Sequence, residues 1–554
     1  VMEVCSEQGM ILSKTTKSNL ELASMILHDS DFVFKEDNQS IIAEKNYNLN
    51  STNPLHITKY IIHTSNLYDT NYVETIHDMK QKVINVTFKE LVLKQEEYYK
   101  NFWDTAYINV QGDNNIESLL NYNIFQLNSS GGENFIHNIS AKGLSGEGYE
   151  GHYFWDTEIY MIPFFTLTNQ EKAKNLLMYR YHTMKQAKCE AINLGYSKGV
   201  KFPWRTINGD ETSPYYPAGS AQFHINSDIA YAIIKYFEVT NDLDFMVDYG
   251  FEMMIETALF LKEAVNYNDG FYHLNGVTGP DEYTTVVDDN YYTNQMLKYH
   301  FEYLSRFYPK YQKSLSGVLS KLHIEESVIS ELKEISENIY LPFSKELNIY
   351  AQDASFLKKK RLNLNEIPED KYPLLLNFHP LFLYKHQVLK QADTMLSMML
   401  LDYDNLDILQ DSFDYYEPIT THDSSLSKCI YSIMAFKLNN YELAYDYFTK
   451  VLQTDYLNTH KNTEHGLHVA NLGGSYLGFV FGVVGLRIHS DCLTIHPIKL
   501  KEITGYEFNI VYQGSKVNIK VDDVLTIKTT KKIKMNIYGK QIEIVDCYQT
   551  ALSK

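Results

Sequence analysis

Residues 226 to 266 read NSDIAYAIIKYFEVTNDLDFMVDYGFEMMIETALFLKEAVN and contain two amphipathic stretches, 226 to 240 and 251 to 266, with apolar residues recurring at helical spacing. The same pattern returns over 171 to 192, 290 to 308, 383 to 401, 424 to 437 and 441 to 453. Between these stretches lie loops rich in Gly, Pro, Tyr and His. Antiparallel helix pairs with the chemically rich residues gathered in their connections predict a helical bundle or closed helical toroid over residues 116 to 485.

Outward from this centre the pattern changes. Residues 1 to 63 are polar and β-like, with short runs such as Ile57 to Ile62. Residues 64 to 115 read as a helical linker, because VETIHDMKQKVINVTFKELVLKQEEYYKNFW mixes apolar and charged residues every three to four positions. From residue 486 onward the runs CLTIHPI, YEFNIVYQ, SKVNIKV, VLTIKTT, IKMNIY and QIEIV alternate with turn residues, which predicts a small antiparallel sheet module over 486 to 554.

The bulk composition excludes several classes. With 554 residues, 44% hydrophobic and 21% charged, the chain is long enough for a large core. Cysteines 5, 189, 429, 492 and 547 form no CxxC pair, so neither a disulfide framework nor a metal site is expected. No signal-peptide pattern and no long apolar run is evident, and a cytoplasmic location is the expectation. A net charge of −19 without a basic stripe argues against a nucleic-acid partner. It does not exclude a single phosphate ligand, which needs only a few local donors. The 45 Tyr and 28 Phe residues supply flat rings of the kind that stack on pyranose faces, although core filling explains composition alone equally well.

Four constellations carry candidate chemistry. The first is GEGYEGHYFWD, residues 146 to 156, where the aromatic Trp155 beside the carboxylate Asp156 offers a stacking face and a hydroxyl acceptor; read bare, it is a helix start with Asp156 as N-cap. The second is the long irregular loop 201 to 224, dense in polar and aromatic groups, in which Tyr215, Tyr216 and Gln222 are candidates for sugar recognition. The third is Thr278-Gly-Pro-Asp-Glu-Tyr283, where Gly-Pro forces a turn and presents Asp281 and Glu282 from a rigid loop. A carboxylic acid held there can protonate a glycosidic oxygen. The fourth is spread over Lys390-Gln391, Thr421-His-Asp-Ser-Ser-Leu-Ser427 and His465-Gly-Leu-His-Val-Ala-Asn-Leu-Gly-Gly-Ser475, whose hydroxyls, histidine and Gly473-Gly474 turn suit an anion. HDSS also suggests a serine nucleophile, but no GxSxG elbow accompanies it.

At these residues the chain resembles glycoside hydrolase family 65, which holds disaccharide phosphorylases for maltose, kojibiose, nigerose and trehalose. GYEGHYFWDTE, FPW, GPDEY, NYYTN, KQAD, HDSSLS and GLHVANLGG occur in the family's order, and the resemblance runs from about residue 10 to the end. It implies a mainly α chain: an (α/α)6 helical barrel with a partial N-terminal β-sandwich and a small C-terminal antiparallel β module. Only the last part of the family's N-terminal sandwich is expected in residues 1 to 63. Carried over by residue, the resemblance makes Glu282 the general acid and gives the donor glucose to Trp155 and Asp156. Lys390 and Gln391 contact sugar near the scissile bond, and Ser424, Ser425, His468, Gly473 and Gly474 hold phosphate. The implied reaction is inverting phosphorolysis of an α-glucosyl disaccharide to β-glucose 1-phosphate, with phosphate as co-substrate, no cofactor or metal, and a homodimer as the assembly.

Two rivals differ in kind. An inverting hydrolase of the same family needs a second carboxylate to activate water, and Glu464 or Asp423 are the candidates. A carbohydrate-binding protein without turnover needs neither.

Overall fold

The computed structural model describes every residue except 1, 6–8, 17, 52–53, 490–491 and 554. The chain divides into two compact units, residues 1–103 and 104–554. In the first, strands Glu3–Cys5, Met10–Lys14, Glu21–His28 and Lys59–Ser65 pair antiparallel in that order. Alternation along Glu21–His28 turns Ala23, Met25 and Leu27 to one face, where Tyr72 and Ile76 of the helix Tyr72–Val83 cover them. The helix Phe88–Ala106 follows.

The second unit is an (α/α)6 barrel carrying a sheet module. Among the described residues, six helical segments contact one another in a closed ring: Ile162–Thr168, His224–Thr240, Tyr291–Lys321, Thr394–Leu400, Ser427–Lys437 and Val469–Leu477. Each follows an outer helix in the chain, beginning with Asn114–Asn128. Ring position explains burial: His224–Thr240 is apolar and enclosed on nearly every side. It lacks the single stripe of a surface helix.

Most stretches read as helical are helices, although Asn114–Asn128, Ser327–Asn338, Leu406–Tyr416 and Val469–Leu477 were not among those stretches, and three regions differ in kind. The 171–192 stretch is two helices, Gln170–His182 and Met184–Asn193, broken at Thr183. The stretch 383–401 is helical only at its ends, in Pro380–Leu383 and Thr394–Leu400. Between them the chain is not helical, because its backbone partners lie elsewhere: Leu389 N–H donates to Ile419 O at 2.9 Å, and Thr421 N–H donates to Leu389 O at 2.8 Å. Lastly, the linker ends in a strand, Ile108–Gly112, which forms the edge of the five-stranded C-terminal sheet beside Ile503–Tyr512. Ile108 and Val110 alternate into the core there, too short a run to announce itself between two helices. A second, four-stranded sheet completes the C-terminal module. No described helix is long and apolar enough to cross a membrane.

Candidate active site

The N-terminal ends of the ring helices and the loops before them enclose one pocket. Its walls include Trp155, Asp156, Glu282, Lys390, Gln391, Ser424, Ser425 and His468, contributed by five separate loops.

Glu282 owes its position to its neighbours. Asp281 is fully buried: it accepts from the Lys390 backbone N–H at 2.7 Å and from Gln352 Nε2 at 3.0 Å. Burial pushes the Asp281 carboxyl up to about 7, against the pull of these hydrogen bonds. Gln391 Nε2 donates to Pro280 O at 2.6 Å, and Asp393 accepts from Asp281 N–H at 3.3 Å and from Asn290 Nδ2. Gly279 sits against this carboxylate so closely that a Cβ would lie 2.3 Å from Asp393 Oδ2. The loop is thus anchored on three sides, and Glu282 is left to face the pocket. Its Oε2 accepts from Lys390 Nζ at 2.7 Å. Burial disfavours the Lys390 charge, but Glu282 outweighs it and the lysine pKa is raised.

Trp155 is 3% exposed and stands edge-on to His224, with centroids 5.2 Å apart. His224 is itself fixed by Asp228 at 2.6 Å and by Gln222 at 2.9 Å. Asp156 makes no cap bond to the helix that follows it. Burial pushes its carboxyl up to about 7, with Glu158 and Glu282 adding to the rise and a backbone hydrogen bond and Lys390 opposing it.

Ser424 and Ser425 precede the helix Ser427–Lys437, and His468 precedes Val469–Leu477. Asp455 fixes His468 twice, accepting its backbone N–H at 2.8 Å and meeting Nδ1 at 2.6 Å. His422 bonds Ser427 Oγ and the Tyr447 hydroxyl, and burial pushes its pKa down to about 3. It therefore does not serve Ser424 as a base, and the serine-nucleophile reading lapses.

Two sequence expectations are corrected, those for Gly473–Gly474 and for Gln222. Gly473 and Gly474 form no turn; they lie inside the helix Val469–Leu477 and outside the pocket walls. They are glycine for packing: a Cβ on Gly473 would lie 2.1 Å from Tyr160 O, and one on Gly474 3.0 Å from Cys429 Sγ. Gln222 is 1% exposed and spends its amide on Ala218 O and His224, so it supports the floor beneath Trp155 and lines no acceptor pocket. Tyr215 and Tyr216 also stand outside the pocket walls, 48% and 69% exposed. Tyr215 neighbours Tyr384, whose phenol burial pushes up to about 12, with Tyr215 and Glu282 close enough to add.

Sequence reading missed Lys142 and Tyr149, both pocket walls, and the roles of Gln352 and Asp455. Tyr149 carried a signal only in hindsight: it and Glu150 adopt left-handed φ of 56° and 53°, tightening the glycine-rich loop at the pocket mouth. Asp423 and Glu464 do not reach the pocket walls. Asp423 accepts from the Tyr283 hydroxyl and from Leu374 N–H, and Glu464 is 79% exposed beside His465.

Comparison with known proteins decides the family. Residues 121–477 match the glycosyl hydrolase family 65 central catalytic domain, and 486–544 match the family's C-terminal domain. The chain belongs to glycosyl hydrolase family 65. This family 65 chain is 42% identical to an α,α-trehalose phosphorylase of Geobacillus stearothermophilus, over 96% of its own length and 71% of the relative's. It is 33% identical to a kojibiose phosphorylase of Thermoanaerobacter brockii, over 81% and 61% of the two chains. A solved structure described as a candidate kojibiose phosphorylase from the human microbiome superposes with a TM-score of 0.91 at 29% identity, covering 98% of this chain and 74% of that one. The barrel and sheet module expected from the sequence are those of the family.

Proposed function

We propose that the chain cleaves an α-glucosyl disaccharide by inverting phosphorolysis. The donor glucose lies against Trp155 with Asp156 accepting from its hydroxyls, and Glu282 gives its proton to the glycosidic oxygen as the bond to the anomeric carbon breaks. Phosphate, held by Ser424, Ser425 and His468, attacks that carbon from the opposite face. The new C–O bond yields β-glucose 1-phosphate, and the acceptor leaves as a free sugar. Lys390 and Gln391 hold the acid's loop, and Asp455 holds His468.

The observation that carries this reading is the convergence of acid, sugar platform and anion donors on one pocket, while Asp423 and Glu464, the two candidate bases of a hydrolase, lie outside its walls. Phosphate is already anionic and needs no base. Among substrates, α,α-trehalose comes first, because the trehalose phosphorylases are 42% and 41% identical to the chain and the kojibiose and maltose phosphorylases 31% to 33%. The test incubates the protein with phosphate and, in turn, trehalose, kojibiose, nigerose, maltose and trehalose 6-phosphate. The expected product is β-glucose 1-phosphate, its anomer read by NMR. Release of two free sugars without phosphate consumption makes the chain a hydrolase, and affinity without turnover makes it a binding protein.

A further inference from the structure

The barrel holds a second cavity, of about 190 Å³, and none of the residues walling it also walls the active-site pocket. Lys235 and Glu238 reach it from the C-terminal end of His224–Thr240, Tyr299, Tyr303 and Arg306 from Tyr291–Lys321, and Arg487 from the strand Arg487–Ile488. The turn after Thr394–Leu400 adds Asp402. A cavity of this size is several times what one water needs.

The charges around it do not balance. Asp402 serves Lys437 at 2.5 Å, Arg487 at 3.2 Å and the His489 ring at 3.5 Å, and Glu238 is taken by Lys235 at 2.8 Å. Burial holds the Arg487 and Lys437 pKa values below their ordinary levels even with Asp402 beside them. Arg306 has no carboxylate at ion-pair distance among the described residues; its Nε donates to Glu302 O at 3.3 Å, and its side chain is exposed. Part of this positive charge belongs to the architecture, because cations suit helix C-termini. Arg487 Nη1 donates to Phe481 O at 2.6 Å and Leu486 O at 2.7 Å, and Lys235 Nζ donates to Ile488 O at 2.8 Å. That accounts for two cations and leaves Arg306 unused.

The aromatic wall is also incomplete. Lys235 Nζ lies 5.5 Å from the Tyr231 ring centre and 5.6 Å from that of Tyr299, and the Tyr231 hydroxyl donates to Leu400 O at 3.2 Å. The Tyr299 hydroxyl, by contrast, is buried with no hydrogen-bond partner among the described residues. A buried phenol left so is destabilising unless something else meets it. A guanidinium fork fits an oxyanion, and phenol rings with a free hydroxyl fit the C–H faces and hydroxyls of a sugar.

We propose that this cavity is a second ligand site, which takes a sugar phosphate with its phosphate at Arg306 and its sugar against Tyr299 and Tyr303. The assignment is independent of the reaction assigned to the active-site pocket.

Calorimetric titration with glucose 6-phosphate tests it on wild type, Arg306→Gln, Tyr299→Phe and the double variant Ser424→Ala, Ser425→Ala. Wild type binds, Arg306→Gln weakens the Kd about 10- to 100-fold and Tyr299→Phe about 3- to 10-fold, the spans of a charge-assisted and a neutral hydrogen bond. The serine variant, altered only in the active-site pocket, binds as wild type does. Sulfate, which brings the anion without the sugar, binds more weakly than glucose 6-phosphate. Without ligand, both cavity variants melt within about 2 °C of wild type, since one side chain is exposed and the other hydroxyl bonds nothing. Failure of wild type to bind overturns the proposal. So does binding that survives Arg306→Gln but is lost in the serine variant, which puts the ligand in the active-site pocket. Equal affinity for sulfate overturns the sugar half of the assignment, and a large fall in the melting temperature of Tyr299→Phe shows that its hydroxyl serves the fold instead of a ligand.

Discussion

The acid loop, residues 278 to 283, and the irregular loop 208 to 224 are joined, since Thr278 N–H donates to Ala221 O and its hydroxyl to Pro217 O, yet they are built on opposite principles. In the acid loop, buried partners take the polar atoms: Asp281 by Lys390 N–H and Gln352, Pro280 O by Gln391, Asp281 N–H by Asp393. In the other loop Glu211 and Gln222 are tied into the interior, but the rings of Tyr215 and Tyr216 between them project with about half or more of their surface exposed. Proton transfer tolerates little misplacement, so its scaffold is over-determined. Recognition of a second sugar tolerates more, and its candidate surface is left open.

The largest way to test that division is Glu282→Gln. The substitution keeps size and leaves Lys390 an amide oxygen to bond, but it removes the transferable proton. Phosphorolysis of trehalose is expected to fall roughly 10²- to 10⁴-fold with the melting temperature nearly unchanged. Turnover near that of wild type removes Glu282 from the role of acid.

Asp156→Asn comes next and moves activity and stability in opposite directions. Burial raises the Asp156 pKa from 3.8 to about 7. The folded state therefore binds the proton more tightly than the unfolded chain, and stability is lost as pH rises from about 4 through 7, where the native protein must carry the buried charge. The Asn variant carries no such charge. It is expected to melt above wild type at pH 8 and at about the same temperature at pH 4, while kcat/KM falls about 10- to 100-fold through loss of a charged hydroxyl acceptor. A melting difference that is the same at both pH values shows that the carboxyl is not held in this way.

Replacing His468 by Ala, or Ser424 and Ser425 together by Ala, is expected to raise the phosphate KM with sugar affinity in the absence of phosphate retained. Paired titrations decide it: a fall in sugar affinity with an unmoved phosphate KM relocates the anion site.

Legibility in the sequence follows the same contrast. Many of the longer helices were readable from their period, though Ser327–Asn338 and Leu406–Tyr416 were not, and so were motifs whose residues are adjacent in the chain, such as GPDEY and FWD. What escaped depends on distant partners. Residues 388 to 393 are not helical because residues 419 to 421 and Asp281 claim the backbone of Leu389 and Lys390. Gly473 and Gly474 resemble a turn until Tyr160 and Cys429 are seen against them.

The smallest expected effect concerns the open loop. Tyr215 neighbours Tyr384, which lies close enough to Glu282 to feel its charge, whereas Tyr216 is the more exposed of the two rings. If the acceptor sugar lies along this side of the acid, Tyr215→Ala removes stacking area worth about 1–3 kcal/mol and narrows the ratio of kcat/KM values between trehalose and kojibiose by about tenfold. Tyr216→Ala changes it less. The KM for β-glucose 1-phosphate in the synthetic direction should stay near wild type in both variants, because that molecule carries the donor sugar and the phosphate but no acceptor. Measuring acceptor KM and β-glucose 1-phosphate KM in the same variant therefore separates the two sides of the pocket. Should Tyr215→Ala raise the β-glucose 1-phosphate KM and leave the acceptor KM alone, the exposed loop belongs to the donor side and the contrast between fixed chemistry and open recognition does not run along these two loops.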